Sequence, residues 1–244
     1  MGPPETPQRL PVVFLHGAGQ DGEIWSEVVP LVARPVIVHE FPAHGGRFGS
    51  PLERVEDLAE DAVDHVPGGQ AAVLVGHSLG GTVALEAALR RPQSVSGVVV
   101  ICADVDPKPD RRAMAALEDG DLNRFVDLIH LGIAGSRQNP SEAAEASARR
   151  LERVARRTGV RAIAADYRAA AAHDLTGRLG GLEIPVAVLA GGRDVLVPPR
   201  RVASLAAELD VEKVVVAEAS HQVPWEAPEA VADAVEQVRA EAGG

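Results

Sequence analysis

A serine hydroxyl is useful as a nucleophile when the backbone holds it out into a cleft and a neighbouring base accepts its proton. The stretch Gly76-His77-Ser78-Leu79-Gly80-Gly81 is composed for the first of those tasks. It follows the apolar run Ala71-Ala72-Val73-Leu74-Val75 and leads into Thr82-Val83-Ala84-Leu85-Glu86-Ala87-Ala88-Leu89, which reads as a helix. A strand that turns sharply into a helix at Ser78 strains the serine backbone and requires small residues two positions to either side. Gly76 and Gly80 stand there, and Gly81 lets the helix pack closely on the sheet. The helix N-terminus beneath the hydroxyl also favours negative charge developing on a substrate. The competing reading is a glycine-rich turn with an incidental serine. The strand before it and the helix after it favour a nucleophile.

Such a turn needs a sheet whose strands end at a common rim. Residues 12–15, 36–38, 71–75, 98–102, 186–189 and 214–216 are apolar runs of strand length, as expected for parallel strands covered on both faces. Between them apolar residues recur at helical spacing: Leu52, Val55, Leu58, Ala62; then Val202, Leu205, Ala206, Leu209; then Val231, Ala234, Val235, Val238. The alternation predicts an α/β fold, a mostly parallel sheet of about six strands with right-handed crossovers and flanking helices. Residues 106–174 interrupt it with alanine- and arginine-rich helical sequence punctuated by Pro107, Pro109 and Pro140. They read as a helical cap inserted within a single domain spanning 1–244. The cap arginines, Arg149, Arg150, Arg153, Arg156 and Arg157, alternate with Glu142, Glu145 and Glu152 and are expected to form an ion-paired, solvated face.

Composition narrows the partners. The net charge of −11 and 3% aromatic content over 244 residues argue against nucleic acid and against stable association with an anionic membrane. The single cysteine, Cys102, excludes an intramolecular disulfide and a cysteine-rich metal site, and its apolar neighbours make it a small buried hydrophobe. No apolar stretch approaches the ~20 residues of a membrane helix, and Met1–Thr6 lacks the features of a secretory leader. A cytoplasmic protein, monomeric or homodimeric, acting on a small molecule is the expectation.

From Val12 to Ala240 the chain resembles the α/β-hydrolase family, on the strength of the Ser78 turn and two later loops. In that family an acid after a late strand and a histidine near the C-terminus follow the nucleophile. Asp194, in Gly191-Gly192-Arg193-Asp194, and His221, in Ser220-His221-Gln222-Val223-Pro224, fall in that order, each just past an expected strand. The resemblance implies a Ser78–His221–Asp194 triad, in which imidazole accepts the hydroxyl proton and the carboxylate fixes its tautomer. It also implies an oxyanion hole made by the backbone N–H groups of Leu79 and of Ala18, in His16-Gly17-Ala18-Gly19. Gly17, His77 and Trp25 are substrate-side candidates, although His77 packed under the turn and Trp25 packed in the core compete with that role. Asp104 and Asp106 follow the strand ending at Cys102, where some members of the family carry their acid, and Asp104 is the reserve. His16 and His44 read as structural, while His130 and His173 either touch substrate or finish a helix face.

Two departures stand out. Only about ten residues precede the first strand, where relatives often carry two more strands, and Ser220 replaces a frequent glycine. The implied activity is hydrolysis of a carboxylic ester, lactone or thioester through an acyl-enzyme, with no metal and no cofactor. Alternatives are a carbon–carbon bond hydrolase on the same triad or a non-catalytic receptor on the same fold. The alanine-rich cap predicts an apolar pocket.

Overall fold

A computed structural model describes residues 9–133 and 141–243. The leader reading at Met1–Thr6 and the punctuation at Pro140 lie outside these residues. Six strands, β1 (Val12–Leu15), β2 (Val36–His39), β3 (Ala72–His77), β4 (Val95–Ile101), β5 (Val186–Gly191) and β6 (Lys213–Val216), form one sheet in the order β2-β1-β3-β4-β5-β6. Every pairing is parallel. Helices α1 (Val55–Asp64) and α2 (Leu79–Arg90) flank β3. Helices α3 (Arg111–Glu118), α4 (Leu122–Ile133), α5 (Glu142–Thr158) and α6 (Val160–Ala171) fall between β4 and β5. Then come α7 (Pro199–Glu208), the short α8 (Val223–Glu226) and α9 (Pro228–Ala242).

Alternate side chains of each strand enter different cores, because successive Cβ atoms point to opposite faces. Val12, Phe14, Val73, Val75, Val99 and Ile101 face α9 and the apolar stripes of α3 to α6. Val13, Leu15, Leu74, Val98 and Val100 face α1, α2 and α7. This double covering is why the strands read as unbroken apolar runs. Its limit is β6, an edge strand with Val214 54% exposed and Val215 44% exposed.

The register sets the rim. His77 of β3 lies opposite Ile101 of β4, which lies opposite Leu189 of β5. One residue further on, the Ser78 N–H donates to the Ile101 carbonyl at 2.8 Å and the Cys102 N–H to the Leu189 carbonyl at 2.9 Å. Loops leaving β1, β3, β4, β5 and β6 therefore emerge side by side. Among the described residues, no helix is long and apolar enough to cross a membrane.

Candidate active site

Ser78 has φ 53° and ψ −118°, a strained conformation for a residue with a side chain, between the end of β3 and the start of α2. The glycines explain how the turn closes. A Cβ on Gly80 would sit 2.7 Å from the His16 carbonyl oxygen and closer still to that of Leu15, and one on Gly76 would collide with the main chain of Gly80. Ser78, Leu79, Ala18 and His221 line a common cavity of about 350 Å³.

His221 is buried, and its Nδ1 lies 2.7 Å from Asp194 Oδ2. With a carboxylate oxygen accepting, Nδ1 is the donor of this pair and Nε2 is the ring nitrogen left free of Asp194. The other Asp194 oxygen, Oδ1, accepts the Leu196 and Val197 N–H groups at 2.8 and 2.9 Å, which fixes the carboxylate. The two loops are stitched together by their backbones. Gly192 N–H donates to the Val216 carbonyl at 2.8 Å and Arg193 N–H to that of Ala219 at 2.9 Å. A Cβ on Gly191 would overlap the carbonyls of Ala219 and Ser220, so this approach requires glycine. Ser220, the departure noted above, gains a partner: its N–H and hydroxyl donate to the Glu226 carboxylate at 2.7 and 2.6 Å.

In the loop after β1 the donors alternate. Gly17 N–H donates to Gln20 Oε1 at 2.9 Å and Gly19 N–H to Asp166 Oδ2 at 2.8 Å. The Ala18 N–H between them and the Leu79 N–H donate to no acceptor among the described residues. Ala18 and Leu79 both line the cavity together with Ser78. A model of the alpha/beta hydrolase family matches residues 12–234. The chain belongs to that family.

It is 31% identical over 231 residues to the pimeloyl-[acyl-carrier protein] methyl ester esterase of Sodalis glossinidius, covering 86% of each chain. Among solved structures it is similar to a thermophilic esterase from Thermogutta terrifontis, with TM-score 0.83, 22% identity and coverage of 96% and 91% of the two chains. It is also similar to the enol-lactonase from Burkholderia xenovorans, with TM-score 0.82, 18% identity and coverage of 98% and 94%. The fold places helical segments between the same two strands where the sequence predicts a cap.

Several expected contacts fall elsewhere. Trp25 is fully buried and packs on Phe14 at a 4.8 Å ring separation, away from the cavity. His77 is also fully buried and supports the site from beneath. Its Nε2 donates to the His221 carbonyl at 2.7 Å, its Nδ1 lies 3.0 Å from Gln20 Oε1, and burial together with nearby His221 pushes its pKa down to about 3. Gly17 shapes the loop without lining the cavity. None of these three residues is among those that line the cavity: His77 ends β3, Gly17 lies in the loop after β1, and Trp25 closes the short 3-10 turn Gly22–Trp25. His130 pairs with Glu145 at 3.3 Å on the surface, and buried His173 faces Glu86 at 3.3 Å. Neither lines the cavity.

The cavity is also less apolar than expected. Ile129, Tyr167, Ala170 and Leu196 line it, but so do Asp104, Lys108, Asp110 and Arg201. Asp104, the reserve acid, is ion-paired with Arg201, whose NH2 group also donates to the Asp106 carbonyl at 2.9 Å. Composition of the cap missed Arg201 because it comes from α7. Cys102 lines the cavity floor, where burial and the Asp194 charge raise its thiol pKa well above the ordinary value and keep it un-ionised. Sequence reasoning missed Gln20, Gln222 and Asp166. Asp166 did leave a signal: it interrupts the buried stripe Ala162, Ile163, Ala165, Ala169, Ala170 of α6.

Proposed function

We propose that the protein is a serine hydrolase of carboxylic esters, with Ser78 as nucleophile, His221 as general base and acid, and Asp194 as the orienting carboxylate. The single observation that carries this reading is the 2.7 Å His221–Asp194 hydrogen bond, which presents imidazole Nε2 at the cavity that Ser78 also lines. His221 takes the Ser78 proton as Oγ attacks the ester carbonyl. The tetrahedral oxyanion rests on the N–H groups of Ala18 and Leu79, and one such donor is typically worth about 3–4 kcal/mol of barrier. His221 then protonates the departing alcohol, leaving an acyl-serine, and next takes a proton from the water that releases the acid. No metal or cofactor is needed for these steps.

Named relatives that act on a methyl ester support ester over amide substrates. The mixed lining and a volume of about 350 Å³ favour a small ester with an apolar acyl chain and polar groups near its far end. Cytoplasmic placement, a monomer or homodimer, and the treatment of α3 to α6 as a substrate-shaping cap belong to the same reading.

The test is labelling with a fluorophosphonate probe alongside turnover of p-nitrophenyl butyrate. The parent should do both, and Ser78→Ala should lose labelling and drop kcat by about 10⁶. Labelling without turnover of any ester in a panel would redirect the triad to carbon–carbon bond hydrolysis. A folded parent that is not labelled at all would sink the nucleophile and leave a binding protein.

A further inference from the structure

The Ala18 N–H is held in place by what grips its two neighbours, and one of those grips comes from far along the chain. Asp166 lies on α6, 1% exposed, and its Oδ2 accepts both the Gly19 N–H at 2.8 Å and the ring of His44 through Nε2 at 3.0 Å. The other ring nitrogen of His44, Nδ1, lies 3.1 Å from the Pro42 carbonyl oxygen. Both partners of His44 are acceptors, an arrangement that suits a ring protonated on both nitrogens, an imidazolium. The fit is close on the apolar side too. Gly19 has φ +67°, and a Cβ there would lie 3.2 Å from Ile163, one turn before Asp166 on α6.

We propose that Asp166 is a positioning residue for ester hydrolysis: it anchors Gly19 so that the adjacent Ala18 N–H points at the oxyanion, with His44 as its cationic partner. The proposal rests on the oxyanion role given to Ala18 above. Asp166 does not line the cavity, but its neighbour Tyr167 does. A substrate chain packed on Tyr167 and Ala170 therefore presses on the same helix that holds the oxyanion loop. Burial disfavours the charged ring of His44, yet the hydrogen bond and charge of Asp166, aided by the Pro42 carbonyl and Glu40, raise its pKa above the ordinary value. Neighbouring His16 does not compete for this role. Its Nε2 accepts the Phe41 N–H at 3.2 Å, and burial together with His44 keeps it neutral.

The test compares the parent with Asp166→Ala and Asp166→Asn. Amide hydrogen exchange is read at Gly19, and kinetics are read with p-nitrophenyl butyrate and a trifluoromethyl ketone that mimics the tetrahedral oxyanion. In Asp166→Ala the Gly19 amide should exchange at least tenfold faster. Its kcat/KM and its ketone affinity, both normalised to titrated active sites, should fall together by about tenfold with KM within about twofold. Asp166→Asn keeps an acceptor oxygen and should recover to within about threefold of the parent. Unchanged Gly19 exchange, or unchanged ketone affinity per active site, overturns the proposal, as does an Asn variant as impaired as Ala. If Asp166→Ala does not fold, the parent decides. Its His44 ¹⁵N spectrum at about pH 6 should report two protonated nitrogens, and a single neutral tautomer overturns the assignment. A parent that turns over no ester while Gly19 exchange still depends on Asp166 refutes the hydrolase reading and leaves the anchor standing.

Discussion

At the scale of single residues, the site depends on which atoms are already committed. Asp194 spends one oxygen on two backbone donors and the other on His221 Nδ1, so the imidazole is locked in one tautomer. Asp194→Asn would keep the shape but offer an amide donor where an acceptor is required, stabilising the tautomer with its proton on Nε2. The expected outcome is a fall of about 10⁴ in kcat for p-nitrophenyl butyrate with the protein still folded by circular dichroism. A loss below about tenfold would transfer the acid's role elsewhere, and Asp104 is the residue to test next. Asp104 is poorly suited as it stands, since its carboxylate is taken up by Arg201. Burial raises the Asp104 pKa despite that cation.

At the scale of elements, the turn after β3 was legible because its physics is local. Glycine at positions 76 and 80 has no reason to stand at a strand–helix junction except that the main chains pass within contact there. Gly80→Ala should therefore be among the most destabilising single-methyl additions in the chain. A Cβ meeting backbone rather than a flexible side chain costs about 3 kcal/mol or more, roughly 6–12 °C in Tm for a domain of this size. Thermal unfolding of Gly80→Ala showing no loss would mean that the turn is looser than its geometry. The strands were legible for a related reason: burial on both faces leaves an apolar run that periodicity alone can find. What was not legible depends on contacts distant in sequence. Arg201 reaches the cavity from α7, Gln20 meets Gln222 at 2.9 Å across 202 positions, and Asp166 reaches the β1 loop across 147. For His77 and Trp25 the sequence left packing and substrate contact both open, and the structure buries both rings fully, His77 at the end of β3 and Trp25 in the 3-10 turn Gly22–Trp25.

At the scale of the molecule, the helices between β4 and β5 are joined to the sheet by two kinds of tie. Most are surface pairs, such as Arg157 with Glu23 at 2.7 Å, Arg150 with Glu27 at 2.9 Å and Arg168 with Glu53 at 2.6 Å. Exposed pairs of this kind contribute ~0–1 kcal/mol each and weaken with salt. The Asp166–His44 pair differs in being buried, with both side chains 1% exposed, so its titration should contribute to the pH dependence of this junction; His173 against Glu86, just after α6, is buried too. Because the folded pKa of His44 is raised, its contribution is fully present below the ordinary histidine value of 6.5 and is lost as pH rises through the higher folded value. The groups facing the ring are Asp166 from α6, Glu40 after β2 and His16 after β1. Glu40 is itself raised by burial, and His16 stays neutral throughout, so neither reverses the sign. Replacing His44 by Gln removes the titration while keeping a hydrogen-bond donor. The Tm difference between the parent and His44→Gln should be widest near pH 6, at about 1–3 kcal/mol or roughly 2–12 °C, and should narrow steadily above neutrality. Groups that titrate identically in both proteins cancel from that difference. A gap that stays constant from about pH 6 to 9, or that widens with rising pH, would mean His44 is neutral in the fold.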